Sequence, residues 1–178
     1  RIMDDFIEEI QDNLTRKNYL SALALTLILP DICGKISYPE LVSTKKRYAQ
    51  WYDTYVYPCE NPPGGEKVNP LDGNAVYQLR CNFLHEGSND IEGFLKRGSV
   101  ENFSEYKFIF TNSITKFSQQ WAAGKEDQKK IDIQINIVDF CNKICWVAEK
   151  FNEDNNSEEK VLTNIKFNLI EGDYENDL

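Results

Sequence analysis

The sequence has few of the residues and patterns on which several common enzyme classes depend. Its 178 residues include one histidine and one methionine. It contains no glycine-rich phosphate loop and no dinucleotide-binding glycine pattern, which leaves nucleotide hydrolysis and hydride transfer without support. No nucleophile-elbow motif accompanies the single histidine, so a serine hydrolase is not favoured either.

The cysteines and apolar segments argue against two further classes of protein. Five cysteines, an odd number without framework-like spacing, favour reduced thiols over a disulfide scaffold. The longest apolar stretch, residues 20–29, falls short of the roughly 18 to 20 residues of a membrane span and predicts a buried helix. No signal-peptide pattern is visible. We therefore expect a cytoplasmic protein without a membrane partner.

Basic residues are scarce relative to acidic ones. The sequence has 20 lysines and arginines and 29 acidic residues, which gives a formal net charge of −9. From residue 149 onward nine acidic residues face three lysines, so most of the excess lies near the end of the sequence. General nucleic-acid binders neutralise phosphates with many cations. Any RNA contact is therefore expected to be local, and the basic clusters at 45–47 and 125–130 are better explained as solvated surface.

The apolar residues recur mainly at helical spacing. Five helices are predicted, over residues 6–14, 19–29, 37–55, 70–86 and 136–151. Pro30 is expected to close the second helix, and Ser37 with Glu40 to form a capping box that opens the third. Asn69 and Pro70 predict the start of the fourth helix, with Gly87 as its C-terminal stop.

Two helical faces have competing interpretations. Tyr48, Trp51, Tyr52 and Tyr55 form an aromatic stripe, which is either core packing or a base-stacking platform, with core packing favoured. The last helix places seven apolar residues on one side: Ile137, Phe140, Cys141, Ile144, Cys145, Ala148 and Phe151. The two cysteines on this side are too few for a structural zinc site and are interpreted as core. Trp146 points the opposite way, which suggests cover by the C-terminal segment or by a partner.

Two segments alternate with period two and predict strands. Residues 108–111 and 131–135 indicate a small antiparallel β element. We therefore predict a mainly α fold, with one helical domain over residues 1–152 and a β element around residues 103–136. Residues 153–178 are expected to form a polar linker, one further strand at 165–169 and an acidic tail.

The reactive side chains concentrate between residues 76 and 87. The guanidinium of Arg80 can hold a phosphate bidentately, and the imidazole of His85 can give or take a proton. Five residues correspond to about 500° of helix, so the two side chains project about 140° apart. The two side chains can meet at one phosphate only if the long arginine side chain reaches around the helix, if the helix opens near Gly87, or if a second copy of the motif comes from a partner chain. The simpler interpretation is that Arg80 pairs with a buried carboxylate such as Asp31 while His85 caps the helix.

This segment gives the chain a resemblance to the HEPN superfamily. These are small helical domains of prokaryotic toxins, phage-defence systems and RNA-processing nucleases, with an Arg-x4-6-His motif on a helix. Residues 79–87 match that motif, and residues 29–34 and 47–52 add a likeness to a group of uncharacterised bacterial proteins. The resemblance covers about residues 5–90, with a weaker likeness around residues 140–146.

The resemblance implies a HEPN-like helical bundle that dimerises and cuts RNA without a metal or cofactor, by attack of a ribose 2′-hydroxyl on the adjacent phosphate. His85 would be the general acid or base, Arg80 would hold the phosphate, and Asn82 would orient either group. The residues expected to support the site or bind substrate are Asp31, Tyr77, Cys81 and Glu86.

Cys81 departs from the polar residue that the family most often has directly after the arginine. The alternative is therefore a non-catalytic HEPN-like binding or dimerisation module. The enzyme would be a toxin or phage-defence effector, and an antitoxin or another regulatory protein is the further partner that the resemblance suggests.

Overall fold

Helices dominate the computed structural model of the protein, which describes residues 2–59, 71–86, 90–92, 105–112, 119–123 and 130–155. The helices are α1 (Ile2–Thr15), α2 (Tyr19–Thr26), α3 (Leu29–Ser37), α4 (Thr44–Trp51), α5 (Gly73–Glu86) and α6 (Ile137–Asp154). The strands are β1 (Asp90–Glu92), β2 (Glu105–Thr111), β3 (Gln119–Ala123) and β4 (Lys130–Asn136). The mainly α fold predicted from the sequence, with a small β element in the C-terminal half, is confirmed.

Helix α6 is central to the hydrophobic core. It begins at an Asn136 cap, whose Oδ1 accepts hydrogen bonds from the backbone N–H groups of Val138 and Asp139 at 3.0 and 3.1 Å. The helix packs against α1, α2 and α3, and all seven residues of its predicted apolar side are buried. Trp146, on the opposite side, is 57% exposed. The helical period therefore predicted both faces of α6 correctly.

The aromatic stripe belongs to the core. Tyr48, Trp51 and Tyr52 are almost fully buried, whereas Tyr55 is 40% exposed. The rings of Trp51 and Phe151 meet edge to face at 5.8 Å, which ties this stripe to α6. Beyond Trp51 the helix continues as a π-helical turn, Tyr52–Val56. Core packing is confirmed for the three buried rings, which are therefore inaccessible to a nucleobase.

Two predicted helix ends are wrong. Pro30 does not close a helix but lies in the first turn of α3, where the missing N–H of proline costs no helical hydrogen bond. Ser37 is the last residue of α3 and does not open the next helix. Helix α4 is capped instead by Ser43, whose hydroxyl accepts from the N–H of Lys46 at 3.4 Å. A capping pattern in the sequence therefore marked the wrong serine.

Helix α5, which carries the motif, begins three residues later than predicted. Asp72 caps it, since its Oδ1 accepts from the N–H of Ala75 at 2.8 Å. The N–H of Gly73 donates to Oδ1 of Asp53 at 2.6 Å. A Cβ atom at Gly73 would collide with the backbone of Ala49, so glycine permits the close contact between α5 and α4. The predicted cap Asn69-Pro70 and the stop at Gly87 lie outside the described residues.

The four strands form one sheet in the order β1-β2-β4-β3. β1 pairs with β2 and β3 with β4 antiparallel, but β2 and β4 are parallel, with Phe108 opposite Ile133. The antiparallel element predicted from the sequence is thus wrong for its two predicted strands. The chain passes through β3 between them and reverses twice, and β3 lacks the alternation that would have revealed it. The predicted strand at 165–169 lies outside the described residues.

One apolar segment among the described residues, Tyr19–Ser37, is long and apolar enough to cross a membrane by length and composition alone. It is longer than the stretch noted in the sequence because Pro30 falls inside α3. In the fold it forms two helices, α2 and α3, joined at residues 27–28, and more than half of it is buried by the rest of the protein. Burial of this extent is typical of core helices.

Candidate active site around Arg80

Arg80 projects from α5 onto the first turn of α3. Its Nε donates to Oδ2 of Asp31 at 3.0 Å, and the side chains of the two residues are 22% and 18% exposed. The simpler interpretation of the sequence had Arg80 paired with a buried carboxylate such as Asp31, and the structure contains this pair. The guanidinium is therefore held in place but is not sealed from solvent.

Burial shapes the electrostatics of the pair. Desolvation raises the pKa of Asp31, and the opposing positive charges of Arg80 and Arg47 offset this only in part. For Arg80, burial acts to lower the pKa, but the Asp31 carboxylate raises it overall, so the guanidinium stays charged. Oδ1 of Asp31 is buried and has no hydrogen-bond partner among the described residues. The carboxylate thus orients Arg80 through one oxygen.

One aromatic ring and one thiol lie beside the guanidinium. Its Cζ lies 5.9 Å from the ring centroid of Tyr77, which meets the ring of Tyr48 edge to face at 5.3 Å. The hydroxyl of Tyr48 donates to the carbonyl oxygen of Leu27 at 3.0 Å. Nη1 of Arg80 is 4.0 Å from Sγ of Cys81. Three of the predicted supporting residues, Asp31, Tyr77 and Cys81, therefore contact Arg80.

The other predicted site residues lie further along α5. Asn82 is half-buried, and its Oδ1 accepts from Nε2 of Gln78 at 2.7 Å, one turn earlier. His85 is exposed in the last turn and forms no hydrogen bond or ion pair with another described residue. Glu86 ends the helix. The structure therefore assembles the arginine half of the motif but does not join it to the histidine within one chain.

A groove of about 490 Å³ lies beside the motif and was not predicted from the sequence. Phe83 faces it from α5, about 60° around the helix axis from Arg80 and about 4.5 Å further along it. The lining residues are Tyr19, Leu20, Leu23, Phe83, Phe110, Thr111, Asn112 and Ile137. They come from α2, α5, the end of β2 and the start of α6. No spacing pattern in the sequence could link residues from elements so far apart.

The thiols of α6 lie in the core. Burial raises the pKa of Cys141 to about 11 and that of Cys145 to about 12, which disfavours the thiolate that a metal ligand requires. Within the described parts of the chain, no group of three or more histidine, cysteine or acidic residues is placed to hold a metal ion. The interpretation of these two cysteines as core residues agrees with their burial.

Comparisons of the chain with protein-family models, with curated proteins and with solved structures find no match.

Proposed function

We propose that the chain is a metal-independent endoribonuclease of the HEPN type, in which Arg80 holds a phosphate and His85 transfers a proton. One observation carries the proposal. The Asp31 carboxylate accepts a hydrogen bond from Nε of Arg80 and so orients the guanidinium. Nη2 of Arg80 makes no hydrogen bond to a described residue. A charged guanidinium that is fixed on one edge and still partly exposed suits a phosphate oxygen on the other edge.

The chemistry needs only groups of the chain and of RNA. The ribose 2′-hydroxyl loses its proton to a base and attacks the adjacent phosphorus, and the bond to the 5′-oxygen breaks. The leaving oxygen takes up a proton, so the products are a cyclic phosphate and a 5′-hydroxyl. An exposed imidazole such as that of His85 can perform either proton transfer. Arg80 would stabilise the negative charge that develops on the phosphate.

A homodimer would bring the two groups together. Within one chain His85 projects about 140° from Arg80 around the helix axis, and Arg80 is committed to α3 through Asp31. A two-fold dimer places the same surface of each chain against the other. Each active centre would then use Arg80 of one chain and the imidazole of a second copy.

A complementation experiment tests this arrangement. Arg80→Ala and His85→Ala are each expected to abolish cleavage of a fluorescent RNA, measured by gel analysis, while Arg16→Ala, at an exposed arginine, leaves it intact. When the two inactive variants are mixed and re-equilibrated, half of the dimers are mixed and each holds one complete centre. About a quarter of the original activity should therefore return.

Three results would contradict the proposal in different ways. Cleavage that persists in both single variants would exclude the assigned roles. Cleavage that is lost in both but does not return on mixing, although native mass spectrometry detects mixed dimers, would exclude the shared centre. A chain that remains monomeric at every concentration tested would exclude the dimer.

The second candidate is a non-catalytic binding or dimerisation module. The Asp31 carboxylate offsets the charge of Arg80, and Cys81 follows the arginine directly, which favours this alternative. Such a module would bind RNA or dimerise without producing any cut. For the enzyme, we propose a cytoplasmic toxin or phage-defence effector controlled by an antitoxin or another regulatory protein. Growth arrest on expression that disappears in His85→Ala would support that role.

A further inference from the structure

The groove beside Phe83 suits a flat, amphipathic ligand. Three aromatic rings line it, and each comes from a different element: Tyr19 from α2, Phe83 from α5 and Phe110 from β2. Aromatic faces of this kind stack on planar ligands, and base–aromatic stacking is sequence-tolerant because every base has a π-face. The apolar part of the groove therefore offers affinity for a planar heterocycle.

The end of β2 supplies the polar part of the groove. Thr111 contributes a hydroxyl and Asn112 an amide, whose Nδ2 lies 3.5 Å from the hydroxyl of Tyr19. Asn112 is exposed, so a ligand can reach it from solvent. A side-chain amide presents a donor and an acceptor side by side, which matches the paired donor and acceptor on the edge of a nucleobase.

Size and charge narrow the class of ligand. A volume of about 490 Å³ lies within the roughly 300 to 1,000 Å³ of small-molecule sites. None of the eight lining residues is charged, so a phosphate inside the groove would lack a compensating cation. The nearest cation of the motif is Arg80, on the same side of α5 and about one turn away from Phe83. The groove therefore suits a neutral base, with its phosphate outside near Arg80.

We propose that this groove binds one nucleobase of the RNA strand whose phosphate Arg80 holds. The proposal rests on the proposed ribonuclease function for the identity of the strand, and it adds the part of the site that recognises a base. Phe83 and Phe110 provide the stacking faces, and Asn112 contacts the hydrogen-bonding edge of the base. The strand would therefore be cut next to a nucleotide that this groove accepts.

Methyl NMR on the full chain tests the proposal without relying on cleavage. Adenosine, guanosine, cytidine and uridine are titrated separately while the methyl groups of Leu20, Leu23, Thr111 and Ile137 are observed. At least one nucleoside is expected to cause saturable shifts of these signals. Ile109, which is partly exposed and does not line the groove, serves as the reference and should not shift.

Two variants locate the binding. Asn112→Ala is expected to weaken nucleoside binding about tenfold, the usual scale for losing an amide contact to a base. Phe83→Leu keeps an apolar side chain but removes the ring, and should weaken binding to a similar extent. Asn74→Ala is the matched control, because Asn74 is an exposed asparagine of α5 outside the groove and its loss should leave binding unchanged.

The absence of saturable shifts with all four nucleosides in the folded protein would overturn the proposal. It would also be overturned if decanoate bound the same groove as tightly and Asn112→Ala changed neither affinity. If nucleoside binding depended on Asn112 but the chain cut no RNA, the base-binding groove would be supported and the proposed nuclease activity would be contradicted. If cleavage depended on His85 but no nucleoside shifted the methyl signals of the groove, the nuclease would be supported and the base-binding groove would be contradicted.

Discussion

Arg80 and His85 show how differently two residues of one helix can be constrained. Arg80 is anchored by Asp31 on α3 and lies beside the ring of Tyr77, so several elements determine its position. His85 is exposed in the last turn of the same helix. A part-buried ion pair responds strongly to the loss of one partner, because the remaining charge loses its compensation.

The ion pair between Asp31 and Arg80 predicts the effect of Asp31→Asn. The substitution leaves the half-buried guanidinium of Arg80 without its counter-charge and should destabilise the protein by about 2 kcal/mol. Urea unfolding followed by circular dichroism measures the change. The matched control is Asp12→Asn, which breaks the exposed pair with Arg16 and should cost less than about 0.5 kcal/mol. Equal effects of the two substitutions would show that the Asp31–Arg80 pair does not stabilise the fold.

At the scale of elements, the position of the motif depends on the contact between α5 and α4. Gly73 lies at the start of α5 directly against the backbone of Ala49, and Asp53 accepts the hydrogen bond of its N–H. Gly34 allows a similar approach of α3 to the backbone of Arg47. These two glycines let helices α3, α4 and α5 pack closely, which places Asp31 and Arg80 within reach of each other.

Gly73→Ala should therefore separate α5 from α4. The added methyl group meets backbone atoms that cannot rotate away, so a loss of about 1 to 3 kcal/mol in unfolding free energy is expected. Thermal unfolding compares this variant with Asn74→Ala, an exposed position in the same turn that should change stability by less than about 0.5 kcal/mol. A Gly73→Ala protein as stable as the original would mean that α5 does not depend on this contact.

At the scale of the whole molecule, the charge restricts how the proposed RNA substrate could be held. A chain with a net charge of −9 repels a polyanion overall, so the proposed binding would rely on a few local contacts such as Arg80 and on uncharged surfaces such as the groove. Each phosphate contact to single-stranded nucleic acid contributes a slope of about −0.7 to the dependence of log affinity on log salt concentration. Few contacts therefore produce a shallow dependence.

RNA affinity is thus expected to fall less than about tenfold between about 50 and 200 mM salt. Fluorescence anisotropy with a labelled RNA measures this, and His85→Ala is used so that the strand stays intact. Arg80→Ala should remove one phosphate contact and so make the slope of log affinity against log salt concentration shallower by about 0.7. A loss of affinity of about a thousandfold or more over that range would indicate an extended cationic surface and would contradict the local mode of binding.

Local patterns in the sequence determined much of the fold. The helical period placed the buried side of α6 and left Trp146 exposed, because burial on one face of a helix requires that spacing. The stripe of Tyr48, Trp51 and Tyr52 indicated core for the same reason. The pairing of Arg80 with a carboxylate such as Asp31 was one of two interpretations of the sequence, and the structure contains it.

Only the tertiary structure decided the rest. From the sequence, Pro30 could end one helix or begin the next. In the structure it lies in the first turn of α3. The alternation in β2 and β4 indicated strands, but period two carries no direction, so the intervening β3 made them parallel. The groove joins side chains from four elements. Contacts between distant segments depend on how all the elements pack together, and no local spacing encodes them.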